Sequence, residues 1–178
     1  ESALPEFSSL WPADLQVIGK DILIPPHAIY WPCMLHAMGF DRSEMPTLLV
    51  HGFWTNEGEK MSKSLGNVVS PEDIIKKSGV DILRLWVANT DYTEDMRISD
   101  EILSNLNDNY RRIRNTFRFL LGNISHSNTD NLFEYSELEE IDKFILARLF
   151  EIETIRKKSL KDYTFHIFYK ALFEFCSV

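Results

Sequence analysis

Thiol chemistry is scarce in this chain: Cys33 and Cys176 are the two cysteines among 178 residues. They stand alone in apolar surroundings, form no CxxC pair and offer no disulfide framework. A reducing compartment such as the cytoplasm is therefore expected. Apolar runs are short as well. None approaches the roughly 18 residues that a membrane span needs, and no signal-peptide pattern opens the sequence, so no membrane partner is expected. Glycine and proline number only 7 each, against 44% hydrophobic and 26% charged residues. That balance excludes a collagen-like or disordered chain. Positive charge is not in excess either: 19 Lys and Arg face 27 Asp and Glu, a net charge of −8. Residues 1–90 carry 7 basic against 11 acidic side chains, and residues 91–178 carry 12 against 16. Such even acidity argues against non-specific nucleic-acid affinity, while leaving room for a local basic stripe. No internal repeat is present.

What the sequence does have is two halves with different periodicity. The first half alternates short apolar runs with Pro and Gly punctuation. Leu15-Gln16-Val17-Ile18 reads as a buried strand stopped by Gly19, and the run from Thr47 to Phe53 reads the same way. Between them a helix is expected from Pro25-Pro26, with His27, Trp31, Met34, Leu35 and Met38 on its apolar face and Gly39 near its end. A strand, a helix and a strand in this order suggest a βαβ unit with a parallel sheet. Thr55-Asn56-Glu57-Gly58-Glu59 has turn composition and leads into an exposed polar loop. Ser70-Pro71-Glu72-Asp73 starts a short helix that Ser78-Gly79 ends, and a second helix covers Asp81 to Ala88.

Beyond Ser99 the apolar period becomes 3.6. Ile102, Leu106, Tyr110, Ile113, Phe117, Leu120 and Ile124 form one stripe about six turns long. Ser136 with Glu139 reads as a capping box for a helix that buries Leu138, Ile141, Ile145, Leu149 and Ile152. An aromatic-rich segment from Tyr163 to Phe175 gives a third helix, and three successive antiparallel helices are expected.

The sharpest motif is Lys60-Met61-Ser62-Lys63-Ser64, followed by Leu65-Gly66-Asn67. Two lysines three apart on a glycine-flanked loop can converge on one polyphosphate, with hydroxyl and backbone donors between them. A lone lysine pair is most often a solvated loop. This string, directly after a strand and a hairpin-like turn, resembles the KMSKS signature of class I aminoacyl-tRNA synthetases. Upstream, Gly19-Lys20-Asp21-Ile22 follows a strand end, where ligands of open α/β sheets bind. Glycine there lets a nucleotide approach the backbone, and the Asp21 carboxylate can accept from ribose hydroxyls. In isolation His27 and Trp31 read as core packing. The stretch from Trp11-Pro12-Ala13-Asp14 through Gly19-Lys20-Asp21-Ile22 to His27-Ala28-Ile29-Tyr30-Trp31-Pro32, with Val50-His51-Gly52, resembles the second half of the methionyl-tRNA synthetase catalytic domain. Residues from about 81 onward are instead similar to isoleucyl-tRNA synthetase. Asp81-Ile82-Leu83-Arg84-Leu85-Trp86-Val87-Ala88, Ile98-Ser99-Asp100-Glu101-Ile102-Leu103 and Tyr110-Arg111-Arg112-Ile113-Arg114-Asn115 carry that likeness. The change falls between about Ile74 and Asp81, as in a fragment or a mosaic.

The resemblance implies an α/β fold followed by an all-α one. Residues 1–90 would be the C-terminal half of a Rossmann-type catalytic domain, and residues 91–178 the start of a helical anticodon-binding bundle. It implies an enzyme that activates an amino acid with ATP, as the Mg²⁺ complex, and transfers it to tRNA. Lys60 and Lys63 would be catalytic. Gly19, Asp21, His51, Lys60, Met61, Ser62, Lys63 and Ser64 would bind ATP, and Ile22, His27 and Trp31 would line the amino-acid pocket. His27 stands eight residues after Gly19, one more than the family spacing, and the extra residue falls at Ile24-Pro25-Pro26. Arg111, Arg114 and Arg118 share one face of the long helix; tRNA phosphate contact and a solvated, acid-paired face are both open readings. No protein-bound metal is expected. Methionine is the expected amino acid, because the residues implied to touch it lie in the methionyl-like half. Isoleucine is the alternative, and a non-catalytic tRNA-binding or structural piece is a third reading. No His-x-Gly-His string occurs in the sequence, so these 178 residues alone are expected not to catalyse activation.

Overall fold

The computed structural model describes residues 7–56, 58–124 and 133–177, with the backbone alone at Phe7, Ser8 and Lys63. They fall into two compact units, residues 1–60 with 92–97 and residues 61–91 with 98–178. Among the described residues no helix is long and apolar enough to cross a membrane.

In the first unit a short helix α1 (Phe7–Leu10) precedes strand β1 (Leu15–Gly19). β1 pairs in parallel with β2 (Thr47–His51), in a register that sets Leu15 opposite Thr47 and Gly19 opposite His51. A parallel pair needs a crossover rather than a hairpin. Here it consists of a tight turn at Lys20–Ile22, a wide turn at Leu23–Tyr30, helix α2 (Trp31–Ala37) and a further tight turn at Arg42–Glu44. The βαβ order matches the expectation. The crossover helix does not begin as expected. Pro25 and Pro26 have no N–H to give, Ile24 is extended (φ −118°, ψ 126°), and the Trp31 N–H reaches the Pro26 carbonyl five residues back. Such a π-type turn holds one more residue than an α turn. The apolar face also differs: Leu35 is buried, but Met34 and Met38 are 57% and 68% exposed.

The segment after β2 is more ordered than its turn composition suggested. β3 (Trp54–Asn56) and β4 (Glu59–Lys60) pair antiparallel, Thr55 opposite Lys60 and Asn56 opposite Glu59. On its other edge β3 meets β5 (Met96–Ile98), giving the order β4-β3-β5. Three residues are too few to show a period, so sequence reasoning left β5 unread. Thr55 is buried in this small sheet, and its hydroxyl donates to the Met96 carbonyl at 3.4 Å. The approach of residues 92–96 is close. The Gly52 N–H donates to the Tyr92 carbonyl and the Met96 N–H donates to the Phe53 carbonyl, both at 2.8 Å. A Cβ on residue 52 would lie 2.1 Å from the Glu94 carbonyl oxygen, so only glycine fits there.

The second unit is mostly helical. Ser70 caps α3 (Pro71–Ser78) by accepting from the Glu72 N–H at 3.2 Å, as the sequence implied. α4 (Val80–Asn89) and α5 (Asp100–Ile124) follow, then α6 (Glu140–Lys161) and α7 (Phe165–Phe175). α7 packs against α4, α5 and α6. Together they form a core of Ile82, Trp86, Leu103, Leu106, Ile152 and, from α7 itself, Tyr169, in which Trp86 is fully buried. Each buried aliphatic side chain there contributes roughly 1.5–3 kcal/mol. The stripe on α5 is covered only in its first half: Leu106 is buried, whereas Phe117, Leu120 and Ile124 are exposed. Two expectations for α6 fail. Its N-terminal cap is Glu139 without a side-chain hydrogen bond, and the capping box belongs instead to the preceding tight turn, between Glu134 and Glu137. Of the expected buried set only Ile152 is buried; Ile141, Ile145 and Leu149 are exposed and Leu138 is intermediate. A 3.6 period marks an apolar face, but burial needs a partner surface over its whole length. On α6 the Arg156 fork donates to both oxygens of Glu153, at 2.6 and 2.7 Å, and holds that carboxyl down to about 2.

The clash at Gly52 gives a direct test. Gly52→Ala forces the two backbones apart and is expected to cost about 2 kcal/mol or more. Gly122→Ala, on α5 with open space at its Cβ, is expected to gain about 0.5 kcal/mol from helix propensity. Urea unfolding of both variants beside the parent checks the pair.

Candidate active site

The carboxyl ends of β1 and β2 bring several of the expected residues together. Their register sets Gly19 beside His51. A Cβ on residue 19 would lie 2.7 Å from Asp21 Oδ1 and 3.7 Å from His51 Cε1, so the three positions share one small space. The His51 Nδ1–H donates to the Gly52 carbonyl at 2.8 Å. A carbonyl can only accept, so this bond requires a proton on Nδ1. Lys60, on β4, reaches the same corner: its Nζ is 3.9 Å from Asp21 Oδ2. Gly19, Asp21, His51 and Lys60 therefore converge, although 41 positions separate the first from the last.

Three residues that sequence reasoning did not single out complete this corner. The Phe53 ring carries the Lys60 ammonium at 3.7 Å and the Lys20 ammonium at 4.6 Å from its centroid. Lys20 Nζ donates to Asp95 Oδ1 at 2.5 Å, and the Phe53 N–H donates to the same oxygen at 2.8 Å. The Lys20 hydrogen bond, and then the Phe53 N–H, hold the Asp95 carboxyl below the ordinary Asp range. Lys20 sits inside the Gly-Lys-Asp string and could have been read from it. Asp95 lies in a segment with no sequence signal of its own.

The expected amino-acid pocket is less concentrated. The His27 Nδ1–H donates to the Ile22 carbonyl at 2.8 Å, tying those two residues. Trp31 packs edge-on against Trp11, with centroids 6.5 Å apart, and Trp11 in turn packs against Phe40 at 5.6 Å. The Ile22 side chain is 42% exposed. An open groove of about 620 Å³ runs beside α2, lined by Ala28, Pro32, Cys33, His36, Arg42 and Met45, and so by none of the three expected residues.

Met61, Ser62, Lys63 and Ser64 belong to the second unit. There the Ser62 N–H donates to Asn67 Oδ1 at 2.8 Å, and the Ser62 and Ser64 hydroxyls lie 2.6 Å apart. The Lys63 side chain lies outside the described residues. Arg111, Arg114 and Arg118 are all exposed on α5, and Arg111 pairs with Asp108 at 3.4 Å. Among the described residues no group of three or more His, Cys, Asp or Glu is placed to hold a metal ion.

A family model described as class I tRNA synthetases (M) matches residues 2–135. The chain belongs to the class I tRNA synthetases. It is 46% identical over 172 residues to the isoleucine–tRNA ligase of Syntrophotalea carbinolica, covering 94% of this chain and 18% of that protein. The isoleucine–tRNA ligase of Symbiobacterium thermophilum is 44% identical over 173 residues, with the same coverage. The chain thus spans about a fifth of the length of these relatives. Among solved structures it is similar to Mycobacterium tuberculosis methionyl-tRNA synthetase in complex with methionyl-adenylate, at a TM-score of 0.78 and 30% identity. That match covers 99% of this chain and 35% of the other. A leucyl-tRNA synthetase of Agrobacterium radiobacter K84, solved with tRNA and LeuAMS, matches at a TM-score of 0.77 and 21% identity and shares the fold. Both resemblances seen in the motifs return. The isoleucyl likeness extends into the half whose motifs are methionyl.

The Asp95 contact is open to titration. Its carboxyl is lowered in the folded chain. The stability it contributes is therefore full above its unfolded pKa and is lost as pH falls through the folded one. The gap in urea midpoint between the parent and Asp95→Asn is expected to be constant from neutral pH down to about 5 and to close as pH falls below the ordinary Asp range.

Proposed function

We propose that the protein carrying this chain activates an amino acid with ATP and transfers it to tRNA. In this reading residues 1–90 are the C-terminal half of a Rossmann-type catalytic domain, and residues 91–178 begin a helical anticodon-binding bundle. The observation that carries it is the convergence of Gly19, Asp21, His51 and Lys60 at the carboxyl ends of two parallel strands. That is where open α/β sheets bind nucleotides. Gly19 leaves the backbone open to the adenosine, Asp21 accepts from its ribose hydroxyls, and His51 lies near the adenosine. In activation the amino-acid carboxylate attacks the α-phosphorus of ATP, the bond to the bridging oxygen breaks, and pyrophosphate leaves. The protein's task is positioning and charge stabilisation. Lys60 and Lys63, with Met61, Ser62 and Ser64 around them, hold the triphosphate and stabilise charge on the leaving pyrophosphate. Arg111, Arg114 and Arg118 present donors suited to tRNA phosphates. ATP arrives as its Mg²⁺ complex, and the cytoplasm is the compartment that this role implies.

The amino acid in this reading is methionine. Ile22, His27 and Trp31 lie in the segment matched by the family model whose letter is the code for methionine, and a similar structure holds methionyl-adenylate. Isoleucine is the second reading, favoured by the 46% identity to isoleucine–tRNA ligases. ATP–pyrophosphate exchange by the full protein, with each amino acid in turn, separates the two. Trp31→Ala is expected to raise the KM for methionine about tenfold or more and leave that for ATP within about twofold. Exchange with isoleucine alone moves the assignment to the second reading, and exchange with neither rejects both.

The loop has its own test. Lys63→Ala is expected to slow exchange mainly through kcat, because its contact strengthens as the pyrophosphate leaves. A parental exchange rate in this variant removes Lys63 from the mechanism. The 178 residues alone are expected to give only background exchange.

A further inference from the structure

The corner formed by β1, β3 and β4 holds two ammonium groups, two carboxylates and one aromatic ring within a few ångströms. Lys20 and Lys60 both rest on the Phe53 ring, at 4.6 and 3.7 Å. Two cations on one ring repel each other unless each has a counter-charge. Asp95 supplies that charge for Lys20 at 2.5 Å, and Asp21 supplies it for Lys60 at 3.9 Å. The two pairs are not equivalent. Asp21 is the group proposed to accept from ribose, so its hold on Lys60 must be exchangeable. Asp95 faces no such competition. Its Oδ1 takes both the Lys20 ammonium and the Phe53 N–H, while the next residue, Met96, gives its N–H to the Phe53 carbonyl. Residues 95 and 96 thereby fix both peptide groups of Phe53, and with them the place of its ring.

We propose that Asp95 is a positioning residue for amino-acid activation: by holding Lys20 and the Phe53 peptide, it fixes the ring on which Lys60 rests before Lys60 engages the triphosphate. This rests on the reading of Lys60 given above. Removing Asp95 acts in two ways. It loosens the Phe53 main chain, and it leaves two lysines to compete for Asp21, the carboxylate that the ribose needs. Neither effect touches the amino-acid pocket, where His27 is held by Ile22 and Trp31 by Trp11. The consequence is a split between kinetic parameters rather than a general loss.

The experiment uses ATP–pyrophosphate exchange by the full protein, with thermal unfolding to confirm that each variant is folded. Asp95→Ala is expected to lower kcat about tenfold or more while the KM for the amino acid stays within about twofold. Asp95→Glu, which keeps the charge and can reach the same partners, is expected to recover part of that loss. The deciding measurement is Asp95→Ala in a Lys60→Ala background. If Asp95 acts through Lys60, the second substitution adds no further loss in kcat, because both break the same unit. Losses that multiply overturn the proposal and leave Asp95 a general structural residue, as does a parental kcat in Asp95→Ala. A Lys60→Ala variant with parental exchange rejects the functional reading itself, and the proposal falls with it.

Discussion

The main chain at Phe53 is committed on both sides to a segment 42 residues further along. Its N–H goes to the Asp95 carboxylate and its carbonyl to the Met96 N–H, while the preceding Gly52 N–H goes to Tyr92. These bonds need a backbone approach that a Cβ at residue 52 would block. Once they form, β2 ends where it does, β3 starts with Thr55 buried, and the Phe53 ring stands where two lysines reach it. The position of Lys60 on the far strand of the hairpin follows, since Thr55 pairs with it directly. A single glycine thus sets the spacing on which the charged corner depends.

Local elements were legible where composition and period coincide. The two parallel strands, the Ser70 cap, the α3–α4 stop at Gly79 and the long α5 all follow from side chains within a few residues of one another. The meeting of Gly19, Asp21 and His51 was also legible, because the ends of neighbouring parallel strands lie side by side. Asp95 was not. Its place in the corner depends on contact with Lys20, 75 positions away, and a short strand such as Met96–Ile98 carries no period. The failures on α6 have a different cause. Ile141, Ile145 and Leu149 do lie at helical spacing, yet the buried positions of α6 are Ile152 and Ser159, further along the helix. Periodicity reports which face is apolar, and packing decides how much of it is buried.

The helical unit is organised around its last helix. α7 touches α4, α5 and α6, and its Tyr169 is buried, as are Trp86 on α4 and Leu106 on α5. Thr116 on α5 donates to the Cys176 carbonyl at 3.3 Å, which ties the end of α7 to the middle of the long helix. The arginines implied to meet phosphate stand on the same α5, on its exposed side. The helix that carries them is therefore anchored by contacts made on its other faces, and on the exposed side Arg111 pairs with Asp108 of the same helix.

The wide turn between Ile22 and Trp31 carries a lesson about chain length. His27 bonds back to the Ile22 carbonyl and Trp31 meets Trp11. Pro25 and Pro26 ask for no hydrogen-bond partner, and the Trp31 N–H reaches five residues back to the Pro26 carbonyl. No regular α-type ladder runs through this turn. A π-type turn accommodates one residue more than an α turn, so this segment is the place in the crossover where a change in residue count would rotate the following helix least.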